Sequence, residues 1–287
     1  MCRSRIGQYR VSENRKHANT RIDAQQTTID DSVVRTLVST RRTLARERLT
    51  SVCMGIDGEK VFVKTTCIRG LPARFRISLG LRRSSGAYDW PMAELRNNLE
   101  ARKRTEAIPR LRGYGFIKRF GFVSEMFLAY EHLDGYIHGL AWLRQQPNQA
   151  TAFAQAALGL LTMLNRKGLY HLDLWAGNIM LRPDDLSMLK AIDLENCHIG
   201  DTAFLGETLG YQCAFLYQYA MNDFIAEADY DALVFAHLDR HEPHLDMTAF
   251  MPFYTRFKTL GAGRKERRLI PTKGLLIPGK PAKRTTY

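Results

Sequence analysis

Three polar residues in this chain have the types and spacing needed to move a phosphoryl group. The run Tyr170-His171-Leu172-Asp173-Leu174-Trp175-Ala176-Gly177-Asn178 carries an H-x-D-x₄-N pattern, and Asp193 of Ile192-Asp193-Leu194-Glu195 lies fifteen residues past Asn178. One carboxylate must accept the proton of an attacking hydroxyl, which suits Asp173. A second carboxylate and an amide oxygen must hold Mg²⁺ against nucleotide phosphates, which suits Asp193 and Asn178. ATP and Mg²⁺ are therefore the implied cofactors. His171 fits a bracing role in the loop better than a chemical one.

H-x-D-x₄-N alone is a weak pattern, so the elements around it must corroborate it. Ahead of it, Ala152, Phe153, Ala156, Ala157, Leu160, Leu161 and Leu164 recur at helical spacing, and Gly168 supplies a helix stop. Behind it, Ile179-Met180-Leu181 reads as a strand, Arg182-Pro183-Asp184-Asp185 as a turn and Leu189–Asp193 as a second strand. Helix, loop and hairpin would then bring Asp173, Asn178 and Asp193 to one place.

The 287 residues can bury a sizeable core, and no apolar run reaches membrane-spanning length. No N-terminal segment reads as a signal peptide. Five cysteines without a C-x-x-C pair predict free thiols in a reducing cytoplasm. The net charge of +13 sits at the ends: residues 1–50 carry +6, residues 256–287 carry +9 and the stretch between carries −2. Basic ends of this kind attract anionic headgroups or phosphorylated glycans, or simply aid solubility. Nucleic acid is not expected, because neither end interleaves aromatics with its basic residues.

Along the chain, residues 1–28 read as a flexible basic extension. Val33–Val38 and Leu49–Ile56 read as strands, and Asp57-Gly58 as a hairpin turn into Glu59–Lys64. Residues 68–88 read as an Arg/Gly/Ser-rich loop, and Met92–Arg104 as a helix carrying Glu94 and Glu100. Strands near Phe116–Phe120 and Phe122–Tyr130 follow, then a connector at about 131–135. Residues 136–260 read as mostly helical and 261–287 as a basic, loosely ordered tail.

This order resembles the protein-kinase-like fold across about residues 33–235. The resemblance implies an α+β, two-lobed protein: a small β-rich N-lobe with one main helix (about 33–130), a hinge, and a larger helical C-lobe (about 136–260). It implies that Lys64 of Val61-Phe62-Val63-Lys64 contacts the α- and β-phosphates and that Glu94 pairs with it, Glu100 being the fallback. It also implies that backbone groups near Glu131 and Leu133 read the adenine edge.

Two departures narrow the resemblance. The position two after the catalytic Asp, normally Lys in protein Ser/Thr kinases, is Trp175. Glu195 stands where a Gly would follow the metal-binding Asp, and no Ala-Pro-Glu signature follows. The phrases Phe127–Ile137 and Ile192–Glu195 instead resemble the bacterial lipopolysaccharide core kinase family, which transfers phosphate from ATP to Kdo or heptose units. That implies a glycolipid or sugar acceptor and a cytoplasmic protein with peripheral contact at an anionic inner-membrane surface. A small-molecule or protein kinase of the same fold is the alternative within the enzymes. A pseudokinase scaffold is the alternative outside them, because Ser39–Arg46, at the expected phosphate-covering loop, contains no glycine; Arg41 and Arg42 are candidates to compensate. His237, His241 and His244 have helix-like spacing but read as surface residues, and Trp142 reads as core.

Overall fold

The computed structural model describes residues 20–25, 29–276 and 280–281. Its first half is built on one antiparallel sheet. The strands are β1 (Thr20–Gln25), β2 (Arg48–Met54), β3 (Lys60–Cys67), β4 (Leu111–Arg119) and β5 (Phe122–Glu131), in the order β1-β4-β5-β3-β2. Alternation in β3 buries Val61 and Val63 on one face. Phe62 and Lys64 fall on the other face, which looks toward the second half of the chain.

Helix α1 (Asp31–Thr43) covers the first face. Val33–Val38 was expected as a strand because it is β-branched and short. A helix wins for three local reasons. The Asp30 side chain accepts the Ser32 N–H at 2.7 Å and caps the N-terminus. Val34, Val38 and Arg41 recur at i, i+4, i+7 and are buried. Finally, that stripe packs on Val61, Val63, Phe127 and Ala129, so tertiary burial overrides weak propensity.

The expected loop 68–88 contains a second helix, α2 (Leu71–Ser78), with Pro72 in its first turn. Helix α3 (Trp90–Ala101) then places Glu94, buried, against the Lys64 face of the sheet. The connector after β5 leads to β6 (Ile137–His138) and to α4 (Gly139–Gln145), which buries Trp142 with its Nε1 donating to Pro183 O.

In the second half, α5 (Ala150–Arg166) buries Phe153, Ala157, Leu160, Leu161 and Leu164, the stripe its periodicity predicts. Short β7 (Leu169–His171) enters the loop that carries Asp173 and Asn178. The hairpin β8 (Ile179–Arg182) and β9 (Asp185–Ala191) leaves it, and β10 (Cys197–Ile199) pairs back on β7. Helices α6 (Leu205–Tyr219), α7 (Glu227–His241) and α8 (Met247–Phe257) complete the large core.

Both expected tails need correction. Within 1–28, β1 extends the sheet at the β4 edge; residues 1–19 and 26–28 lie outside the described residues. Beyond 260, β11 (Leu260–Gly261) pairs with β12 (Lys280–Pro281), and between them lies helix α9 (Arg264–Lys273). Glu266 Oε2 accepts the Gly263 N–H at 2.6 Å and caps the start of α9. Ile270 and Pro271 are buried, and Gly274 ends the helix in the left-handed conformation. A side chain at Gly274 would meet the Phe204 ring at 2.4 Å, so the stop is also a packing contact. The basic composition of α9 hid a helix that buries Ile270 and Pro271.

Candidate active site

The loop that carries Asp173 and Asn178 is held from behind by buried groups. His171 Nδ1 accepts the Asp173 N–H at 3.2 Å while its Nε2–H donates to Ile192 O at 3.0 Å. Burial holds the His171 pKa below its ordinary value, consistent with this neutral tautomer. Tyr211 Oη donates to Leu172 O at 3.0 Å, and Gln212 Nε2 to His171 O at 3.2 Å. Asn178 Nδ2 donates to Asp173 O at 2.8 Å, and Asn178 O accepts the Ile192 N–H at 2.9 Å. One asparagine thus ties the loop to the strand end that carries Asp193. Gly177 permits the fold of the loop: a Cβ there would lie 2.5 Å from the Trp175 ring.

Lys64, from the sheet, meets this loop. Its Nζ lies 2.6 Å from Glu94 Oε1 and 3.1 Å from Asp193 Oδ1. Burial pulls the Lys64 pKa down, but Glu94 and Asp193 outweigh it and hold the ammonium above its usual value. Burial pushes Asp193 up, and Lys64 and Arg48 more than offset it, leaving that carboxyl below the usual range. Asp193 is itself in the left-handed conformation, φ 63°, a strained geometry that the surrounding contacts must enforce. Tyr130 Oη also donates to Glu94 Oε1, at 2.9 Å. The fallback Glu100 instead pairs with Lys103 and Arg104 on the helix surface.

In the connector, the Glu131 N–H donates to Arg110 O at 2.8 Å and Leu133 O accepts from Tyr136 N at 3.1 Å. Those two backbone atoms are committed. The Leu133 N–H carries no hydrogen bond to another described residue.

Five groups that sequence reasoning missed complete the site. Glu195, read only as a departure from glycine, is buried and bridges Arg48 and Arg264. Burial and the nearby Asp193 push its pKa up despite those two arginines. Arg48 stacks on the Trp90 ring, 3.8 Å from its centroid. Arg267 Nη1 sits 2.6 Å from Asp173 Oδ1, and Asn196 Nδ2 lies 3.3 Å from Asp173 Oδ2. Arg48, Arg264 and Arg267 lie 147, 69 and 94 residues from their acidic partners, so no local pattern could have joined them.

Arg41 and Arg42, the expected compensation for the missing glycines, do not turn to the site. Both pair with buried Glu125 on β5. Ser39–Thr43 complete α1, and no strand flanks β2 on its outer side among the described residues. The arginine that does reach the site from this region is Arg48, at the start of β2.

The donors fit a hard divalent cation. Oxygen ligands of Glu94, Asp193 and Glu195 lie within 4.8 Å of one another. Glu94 and Glu195 are already neutralised by Lys64, Arg48 and Arg264. Asp193, which shares Lys64 with Glu94, and the Asn178 amide oxygen are further oxygen donors that could hold such a cation. The His237/His241 pair forms no comparable group: His237 Nε2 shares a hydrogen bond with Thr162 Oγ1 at 2.8 Å.

No protein-family model matches the chain, and no curated protein matches it. Among solved structures, it resembles WaaP in complex with acyl carrier protein, with TM-score 0.43 and 18% identity over 81% of this chain and 96% of that one. It also resembles the autoinhibited serine kinase domain of the giant muscle protein titin, with TM-score 0.40 and 12% identity over 88% of this chain and 78% of that one. The fold is a mixed α+β chain with an N-terminal sheet and a helical C-terminal part.

Proposed function

We propose that this chain is an ATP-dependent phosphotransferase acting on a sugar hydroxyl of lipopolysaccharide core or a related glycolipid. The observation that carries the reading is the convergence of Lys64, Glu94 and Asp193 from three elements within ion-pair distance, beside a loop whose Asp173 is oriented by buried hydrogen bonds. Lys64, held charged and anchored by Glu94, would position the nucleotide phosphates. Glu131 and Leu133 would border the adenine, where the Leu133 N–H, which bonds no other described residue, would be the available donor. Mg²⁺, held by Asp193 and Asn178, would neutralise phosphate charge. Asp173 would accept the proton of the acceptor hydroxyl, and most of the rate gain would come from positioning and charge neutralisation.

An acidic acceptor is favoured by the arginines that α9 and the segment before α3 bring together. Burial, then the neighbouring Arg83 and Arg264, hold the Arg268 pKa below its ordinary value, so three guanidinium groups crowd one rim. Such a rim gains stability when a carboxylate or phosphate binds, and an acidic inner-core sugar carries these groups. Among the described residues no helix is long and apolar enough to cross a membrane, so contact with a glycolipid would be peripheral. The second reading, a scaffold without turnover, draws on the rebuilt segment ahead of β2.

The test is nucleotide-dependent thermal stabilisation of the full chain. Saturating MgATP is expected to raise Tm by mass action, by about 2.7 kcal/mol of stability at a hundred times Kd, with a smaller response in Asp193→Asn. An unmoved wild-type transition would remove the nucleotide site. Binding without phosphate transfer to lipopolysaccharide core acceptors would favour the scaffold.

A further inference from the structure

The C-terminal helix places a guanidinium directly on the proposed base. Arg267 Nη1 is 2.6 Å from Asp173 Oδ1, with side-chain exposures of 11% and 21%. Its Nε donates to Ala262 O at 2.9 Å, and the Phe215 ring lies beneath it, 4.6 Å from the guanidinium carbon. Nη2 makes no hydrogen bond to another described residue. The arginine is thus fixed by two of its nitrogens and has a third to offer.

The catalytic loop has no cation of its own to compete. At the position two beyond Asp173 stands Trp175, partly buried against the core and folded over Gly177. Among the described residues, the ion-pair partner of Asp173 is Arg267.

Docking of α9 is a poor explanation for this contact. Ile270, Pro271 and the Thr202 Oγ1 bond to Pro271 O at 2.6 Å already anchor the helix. A nearly buried ion pair adds little net stability over an apolar contact. Spending the proposed base on helix anchoring would also oppose catalysis. Phosphoryl transfer, in contrast, needs positive charge beside the base, because charge shifts across the transferring group.

We propose that Arg267 is a positioning residue for phosphoryl transfer, supplied by the C-terminal helix in place of a cation on the loop. This rests on the phosphotransferase reading above. In the step, the acceptor oxygen bonds to the γ-phosphorus and the bond from that phosphorus to the bridging oxygen breaks. The hydroxyl proton passes to Asp173 and ADP leaves. Arg267 Nη1 holds Asp173 Oδ1 while Asn196 holds Oδ2, which fixes the carboxylate plane toward the hydroxyl. Nη2, which bonds no other described residue, is the atom left to meet the transferring group. The segment past residue 260 is then part of the site and cannot be trimmed as a tail.

The experiment compares the full-length wild type with Arg267→Ala, Arg267→Gln, Arg267→Lys and, on the exposed side of the same helix, Lys265→Ala. Affinity is measured for MgADP alone and for MgADP with aluminium fluoride, which stands in for the transferring phosphoryl group. Wild type and Lys265→Ala are expected to bind the fluoride complex more tightly than MgADP. Arg267→Ala and Arg267→Gln keep their MgADP affinity but lose about 10²-fold of the added tightness, as removal of one charge-stabilising donor does. Arg267→Lys recovers part of it. Equal fluoride enhancement in wild type and the neutral variants overturns the proposal, as does its absence from a wild type that binds MgADP. Greater enhancement or faster ATP hydrolysis in Arg267→Ala overturns it in favour of an inhibitory helix. Failure of the wild type to bind MgADP overturns the nucleotide reading itself, and this inference with it.

Discussion

The Asp173 loop and the segment ahead of β2 are built in opposite ways. In the loop, His171, Tyr211, Gln212 and Asn178 each donate or accept at fixed backbone atoms within a few residues of Asp173. Above the site, the turn after α1 has no glycine, and Arg41 and Arg42 are spent on Glu125. Arg48 and Lys64 carry the positive charge there instead. A group proposed to accept a proton must be held to a fraction of an ångström, so its supports are numerous, from the loop itself and from α6 behind it. Phosphates can be held by backbone amides or by cationic side chains, so that segment tolerates rebuilding.

Four measurements would break or sharpen this contrast. The largest effect is expected from Asp173→Asn, which should cut phosphate transfer by about 10²–10⁴-fold while leaving MgATP stabilisation intact. Full activity in that variant would remove Asp173 from the chemistry.

Next comes Glu125→Gln. It strands Arg41, whose side chain is 4% exposed, and should cost about 3–5 kcal/mol in denaturant unfolding. Arg42→Ala should leave MgATP affinity unchanged. A large affinity loss in Arg42→Ala would mean that this arginine serves phosphates after all, and the contrast would fail.

A third measurement probes the scaffold behind the loop. Burial, with His241 nearby, pulls the His237 pKa down from 6.5 to about 4. The unfolded chain therefore takes up this proton first as pH falls. The stability contribution is complete above about pH 6.5 and is lost on descent toward 4. His237→Gln should flatten the fall of Tm across that window and change little at pH 7.5. An unchanged slope would assign the acid sensitivity to other groups.

The smallest effect concerns the β4–β5 turn. Phe120 has φ 52° and is 75% exposed, followed by Gly121 at φ 81°. Asn-Gly suits two left-handed residues better, so Phe120→Asn should add about 0.5–1 kcal/mol without touching MgATP binding. A lower Tm would show that the exposed ring stabilises the turn.

The connector illustrates how much a one-dimensional reading resolves: Glu131 and Leu133 were both legible as candidates, but only the structure shows that the Glu131 N–H is committed to Arg110 O while the Leu133 N–H bonds no other described residue. The sequence by itself determined whatever depends on neighbours in the chain. The spacing of His171, Asp173, Asn178 and Asp193 was legible because one loop and one hairpin must hold them. The strand carrying Lys64 and helix α5 were legible because periods of 2 and 3.6 survive in composition. Tertiary structure decided the rest. It made a helix of the β-branched stretch 33–38, because only the sheet beneath it supplies the burial that outweighs propensity. It turned Arg41 and Arg42 toward Glu125 and away from the site. It also brought Arg267 to Asp173 and Arg264 to Glu195 from a segment whose composition reads as solvated. Ion pairs leave no period in a sequence: a charge finds its partner only after the core has fixed where each backbone runs.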